Sequence, residues 1–214
     1  NQINDTDETI LRFNNIDSKS VRLEVSGNDL NIYYNESSSV KILDFIVNGN
    51  VKEVYFKDTI WSKEDLNKKI TINQYGDSTN NDISGIKHFN NNIYAEAGDD
   101  RLYGGGLDNN LYGGEGNDIF ELGYSDKNSE NYFYGGEGYD SYNVKFGRTT
   151  WIKDEDYSGI INVDSGVYFT LVGNVFTQSP NRAEKISTQG DHSYYKYSLN
   201  NSPLLQAEYN AEIK

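Results

Sequence analysis

Apolar and polar residues alternate along the first third of the chain: "VRLEV" at 21–25, "LNIYY" at 30–34, "VKILDFIV" at 40–47 and "VKEVYF" at 51–56. This pattern predicts short, half-buried strands. "SGND" between the first two predicts a hairpin turn. After Trp61, "SKEDLNKKI" places Ser62 three residues before Asp65, a capping-box spacing that predicts one short helix near 62–70. From about residue 75 the chain becomes rich in Gly, Asn and Asp, with single apolar residues at regular intervals. Strand-like segments return after about 150: "GIINV", "VYFTLVG", "YYKYSL" and "LLQAEYNAEI". The expected class is all-β in three regions: a β-rich region at 1–74, a repeat array at 75–150, and a strand cap at 151–214. The cap is expected to be antiparallel and to cover the open end of the array, because terminal repeats must hide their edges.

The regular intervals define a period. Ile93, Leu102, Leu111 and Phe120 are spaced by nine residues without error. One thirteen-residue unit, "LGYSDKNSENYFY", carries the series to Phe133, and nine more residues reach Tyr142. Upstream, Ile83 joins the series with a single extra residue before Ile93.

Composition narrows the chemistry. Acidic residues outnumber basic ones 33 to 19, for a net charge of −14, which excludes a nucleic-acid binder because phosphate attraction needs a basic face. Cations are the expected partners. The chain has no Cys and 2 His, so thiolate sites are absent and imidazole for zinc is scarce. Hard, oxygen-ligated ions remain. No apolar run approaches the roughly 18 residues that span a bilayer. The absence of Met reads as a segment of a larger protein.

The most regular unit is "GGEGNDIFE" at 113–121, matching G-G-x-G-x-D-x-U-x with U a large apolar residue; "GGEGYDSYN" at 135–143 matches as well. These units resemble the haemolysin-type calcium-binding repeat of the RTX (repeats-in-toxin) family of secreted bacterial proteins, whose repeats wind into a parallel β-roll. The residue types support that chemistry directly. Glycines at positions one, two and four allow positive φ and let carbonyls converge, a position-six carboxylate completes an all-oxygen shell of the kind calcium prefers, and the position-eight apolar residue packs inward.

If each unit makes half a turn, units eighteen residues apart stack directly. Position six then reads Asp100, Asp118, Asp140 on one side and Asn91, Asn109, Asn131 on the other. Position four follows the same division, with Gly98, Gly116 and Gly138 on the aspartate side but Phe89 and Leu107 opposite. Two Ca2+ ions are expected on the aspartate side, one between the turns at 95–100 and 113–118 and one between those at 113–118 and 135–140. Family ligands are position-six carboxylates and turn carbonyls of two stacked loops. The resemblance therefore implicates Asp100, Asp118 and Asp140 with the carbonyls around Gly98, Gly113, Gly114, Glu115, Gly116, Gly135, Gly136, Glu137 and Gly138. The loop "AEAGDD" lacks both opening glycines, which weakens the lower site. Stacked amides can donate and accept without a counterion, so the asparagines are expected to form a ladder. Upstream, position six falls on Asn81 if Ile83 points inward and on Asp82 if strict spacing holds.

Other features have plainer readings. "DEDYSG" (Asp154, Glu155, Asp156) could supply ligands to a terminal calcium, but such a charge cluster reads first as a solvated turn. His88 and His192 read as surface or packing residues, and the tyrosines as strand packing. No G-x-S-x-G elbow, H-E-x-x-H helix or cysteine nucleophile is present, so no enzymatic role is expected. "ETILRFNNID" and "VKEVYFKDTIWSKEDL" resemble segments flanking RTX repeats, and "WIKDEDYSGIINVDSG" resembles a stretch that closes a repeat block. The resemblance implies a structural segment of a secreted, extracellular, toxin-like protein, exported by type I secretion machinery, folding outside the cell on calcium and meeting a host or cell-surface target. The alternative is a carbohydrate- or surface-binding module, which a row of exposed aromatics beside the roll would favour.

Overall fold

The computed structural model describes residues 2–3, 9–123, 129–144, 149–154, 156, 158–163, 167–172, 175–178, 183–189, 192–197 and 211–213. The chain divides into two compact units, Asn1–Thr71 and Ile72–Lys214.

In the first unit the predicted hairpin forms from Arg22–Ser26 and Asp29–Tyr33, turning at Gly27 with φ +61°. Ser39–Ile42 joins it antiparallel, and Gln2–Ile3 lies parallel on the outer edge. A second sheet pairs Thr9–Phe13 parallel with Val51–Phe56, which is antiparallel to Ile60–Ser62. The predicted helix is Lys63–Lys68, and its capping box is complete: Asp65 N donates to Ser62 Oγ at 3.1 Å and Ser62 N to Asp65 Oδ2 at 3.0 Å. One expectation fails. "VKILDFIV" is not a single strand, because Asp44 adopts a left-handed conformation and the chain then forms a second short helix, Phe45–Asn48, closed by left-handed Gly49. A brief apolar run does not reveal its own period. Phe45 still reaches the interior, fully buried like Leu30, Ile32, Ile42 and Leu66.

The second unit contains a parallel β-solenoid of about four turns. Its chain passes back and forth between two sheets. Asn90–Ala97, Asn109–Glu115, Glu130–Glu137 and Thr149–Lys153 stack parallel in one, with Thr71–Tyr75 beyond Asn90–Ala97. Asp82–Ser84, Arg101–Gly104, Ile119–Leu122, Asp140–Val144 and Ser158–Val163 stack parallel in the other. Register follows the repeat: Leu111 lies between Ile93 and Phe133, and Phe120 between Leu102 and Tyr142. All six are fully buried, and Ile83, Ile152 and Ile161 extend the same core. Each such side chain contributes about 1.5–3 kcal/mol on leaving water. A nine-residue unit is therefore one short strand with an inward apolar anchor, plus the turn that carries the chain to the opposite sheet.

At the C-terminal end Val167–Val172 and Val175–Gln178 extend the second sheet antiparallel. Ala183–Gln189, His192–Tyr197 and Ala211–Ile213 extend the first, with Ala211–Ile213 parallel to Thr149–Lys153. Residues 124–128 of the thirteen-residue unit and most of "LLQAEYNAEI" lie outside the described residues, as does Glu155.

Outward positions of the first sheet form their own columns. Tyr75, Tyr94, Tyr112 and Tyr134 stack at centroid distances of 5.3, 4.7 and 4.4 Å, with interplanar angles of 13, 7 and 6°. Beside them Asn110 donates its amide to Asn92 Oδ1 at 2.8 Å and Asn92 to Asn73 Oδ1 at 2.9 Å. These contacts follow from the ~4.8 Å spacing of neighbouring strands.

Candidate metal centre

Asp100, Asp118 and Asp140 end the turns that lead into the second sheet, and all three are at most 1% exposed. Each spends one carboxylate oxygen on the preceding coil. Asn81 N donates to Asp100 Oδ1 at 2.6 Å, Asp100 N to Asp118 Oδ1 at 2.8 Å, and Asp118 N to Asp140 Oδ1 at 2.8 Å. The second oxygens differ in their fate: Oδ2 of Asp100 and Oδ2 of Asp118 are buried without a hydrogen bond, whereas Asp140 Oδ2 lies 3.3 Å from the Tyr142 hydroxyl. Leaving a buried carboxylate oxygen unpaired is costly, by about 1–3 kcal/mol or more for a charged group.

The glycines build the space around these oxygens in two ways. Gly114 and Gly116 adopt φ of +113° and +127°, and Gly136 and Gly138 φ of +109° and +132°, a region that L side chains avoid. Gly113 has no such φ, yet a methyl group added there would collide with Asp118 Oδ2 and stand 2.7 Å from the Gly135 carbonyl oxygen. The first glycine thus supplies room, and the second and fourth supply conformation. In the lower loop Ala95 and Glu96 take the first two places, and Glu96 keeps the turn's shape at φ +82° despite its side chain. The carbonyls of Glu115 and Glu137 accept hydrogen bonds from Gly98 N and Gly116 N at 2.8 Å, linking successive turns, while both side chains are exposed.

Burial dominates the electrostatics. It pushes the Asp118 carboxyl up to about 6 and that of Asp140 up to about 7, and raises Asp100 as well. Asp118 and Asp140 each also feel the neighbouring carboxylate below in the column. The ion pairs among the described residues, such as Arg101–Glu121 at 2.8 Å, do not reach the column. Among the described residues no three acidic or histidine side chains converge. A cation here would take one or two carboxylates and fill its shell with backbone carbonyls. Such an all-oxygen set suits calcium, which accepts six to eight oxygen ligands in flexible geometry. The residues present fit that ion best between 113–118 and 135–140, where Asp118 Oδ2 and the Gly135 carbonyl face the space at Gly113.

The opposite side is built from amides. Asn91, Asn109 and Asn131 are fully buried and in register. Asn91 Nδ2 donates to Asn109 Oδ1 at 3.2 Å, and Asn109 Nδ2 to Asn131 Oδ1 at 2.8 Å. Each amide also ties its own turn: Asn91 Nδ2 meets the Phe89 carbonyl at 3.0 Å and Asn109 Nδ2 the Leu107 carbonyl at 3.2 Å. With Phe89 and Leu107 in place of a position-four glycine, the amide ties down the carbonyl at that position.

Two further positions are settled by register. Ile83 pairs with Leu102, which makes Asn81 the position-six residue and leaves Asp82 on the outside. The reading of "DEDYSG" as a solvated turn fails at Asp154. Asp154 is 1% exposed and accepts from the Tyr142 hydroxyl at 2.8 Å, whereas Asp156 faces solvent and accepts from Gly138 N at 2.8 Å. The signal for Asp154 was positional: Lys153 pairs with Tyr134, so Asp154 occupies the place of the opening glycine Gly135. His88 is exposed in a left-handed conformation, φ +72°, and the His192 side chain lies outside the description.

Compared with known proteins, the chain matches no protein-family model and no curated sequence.

Proposed function

We propose that the solenoid is a calcium-dependent β-roll, a structural segment of a secreted, toxin-like RTX protein that folds after export. One observation carries this reading: Oδ2 of Asp100 and Oδ2 of Asp118 are buried and unpaired, and Asp118 Oδ2 lies in the space beside Gly113 that any side chain there would take. Calcium would supply charge neutralisation and a bridge between successive turns. The chain's own residues do the rest. Asp100 and Asp118 aim one oxygen along the column and keep the other buried and unpaired, while the glycine turns bring backbone carbonyls close by. Two ions are expected, with Asp118 common to both. At the low calcium of a cytoplasm the column's charge and the net charge of −14 oppose compaction. Extracellular modules bind calcium at roughly 0.1–1 mM, and ligation then contributes folding energy. Type I secretion of an unfolded chain and action on a host or cell surface fit this behaviour. The role is structural and not catalytic.

The alternative, a carbohydrate- or surface-binding module, gains from the outward row of Tyr75, Tyr94, Tyr112 and Tyr134, of which Tyr75 is exposed and the other three are half-buried. Sugar stacking uses ring faces, however, and these rings cover one another's faces and offer edges and hydroxyls. That arrangement supports the structural reading.

The deciding experiment is a calcium titration of the 214-residue chain followed by circular dichroism, with Asp118→Ala alongside. Calcium should raise strand content in the natural sequence, and the variant should need at least tenfold more. Folding that ignores chelator would overturn the proposal.

A further inference from the structure

The aspartate column ends differently from the way it runs. In the coil of 113–118 the inward position-eight residue is Phe120, and Asp118 Oδ2 makes no hydrogen bond. One coil later that residue is Tyr142, fully buried, and it alone among the inward anchors Ile83, Leu102, Phe120, Tyr142 and Ile161 carries a hydroxyl. With one proton to give, this hydroxyl lies 2.8 Å from Asp154 Oδ2 and 3.3 Å from Asp140 Oδ2. It fills the space that Gly135 leaves open, since a methyl group added at Gly135 would collide with both the Tyr142 oxygen and Asp140 Oδ2. At Gly113 the three nearest atoms to the same space are two of the Asp118 carboxylate and the Gly135 carbonyl oxygen, and none is a hydroxyl.

The last coil has also exchanged its residues. Asp154 stands where its predecessors have Gly113 and Gly135, and Gly159 pairs with Asp140 at position six. A carboxylate therefore enters from the opposite arm of the loop, and Asp154 Oδ1 accepts from Ser158 N at 3.3 Å, tying that loop to itself.

We propose that Tyr142 and Asp154 form a plug that terminates the ion column: their hydrogen-bonded pair engages Asp140 Oδ2 and fills the next interval, so that two ions bind and a third does not. This rests on the calcium reading above. The plug lets a roll of fixed length stop without an open end, and it locks the last coil through side chains of the chain itself.

The test counts calcium bound to the full chain by isothermal titration and atomic emission. The natural sequence should bind two ions. Asp154→Asn keeps the shape and still accepts from Tyr142, giving up the long contact from Ser158 N, so it should also bind two, with affinities within about twofold. The double variant Tyr142→Phe with Asp154→Gly restores the phenylalanine and glycine of the preceding coil and should bind three. A count of three in the natural sequence, loss of an ion in Asp154→Asn, or a folded double variant that still binds two would each overturn the plug. If the double variant does not fold, the Asp154→Asn count decides alone. A natural-sequence count of zero overturns the calcium reading itself, which separates that failure from failure of the plug.

Discussion

Asn109 donates its side-chain amide to Asn131 Oδ1 at 2.8 Å, across 22 residues of sequence and one strand spacing. The same amide meets the Leu107 carbonyl, and its oxygen accepts from Gly106 N at 3.2 Å. Replacing it by a carboxylate removes both donations and buries a charge. Asn109→Asp should destabilise the solenoid by about 2–4 kcal/mol, read as a lower denaturant midpoint with and without calcium. Asn109→Ala should also destabilise but leave the calcium count unchanged. Loss of an ion in Asn109→Ala would show that the amide side holds metal.

Asp118→Asn tests the aspartate side with the opposite sign. The amide oxygen still accepts from Asp100 N, while the group near the Gly135 carbonyl becomes a donor. Without calcium at pH 7.5 the variant should be more stable than the natural sequence by about 1–3 kcal/mol, because a buried charge is gone. At millimolar calcium it should be the less stable of the two. Denaturation curves of both proteins in chelator and in calcium should cross; parallel curves would contradict a metal role for Asp118.

Acidity should act in the same direction as the first half of that crossing. Burial holds Asp118 at about 6 and Asp140 at about 7, against an ordinary 3.8. A carboxyl raised in the folded state binds its proton more tightly there. Its stabilising effect is complete below about pH 4 and is lost as pH rises through 6 to 7. In chelator the denaturant midpoint of the solenoid should therefore fall between pH 4.5 and 7.5. Saturating calcium should abolish that fall, since it stabilises the ionised form. A chelated midpoint that rises with pH would refute this assignment.

Glu96→Gly addresses the lower loop. A non-glycine residue at φ +82° is strained by about 1–2 kcal/mol, and glycine returns part of that through its unfolded-state entropy. The variant should gain about 0.5–1 kcal/mol and bind the lower calcium more tightly, checked by thermal unfolding and titration. The equivalent residues Gly114 and Gly136 already take this conformation.

The repeat region was legible because one constraint recurs. A single inward residue per strand fixes the spacing of Ile93, Leu102, Leu111 and Phe120, and stacking at eighteen residues separates Asp118 from Asn109 from sequence spacing alone. The Phe45–Asn48 helix was hidden because its trigger is Asp44 in a left-handed conformation, and aspartate is equally at home in an ordinary turn. Asp154 was hidden for a different reason. Its burial follows from the pairing of Lys153 with Tyr134, and the segment carrying it has lost the glycines that mark a coil, so local composition described a charged turn.

The tyrosine column has a use of its own. Phenol rings held 4.4–5.3 Å apart and nearly parallel couple their electronic transitions, and that coupling exists only while adjacent coils remain in register. Near-ultraviolet dichroism from Tyr75, Tyr94, Tyr112 and Tyr134 is thus a native optical gauge of winding, able to report how many coils have assembled at each step without an added label.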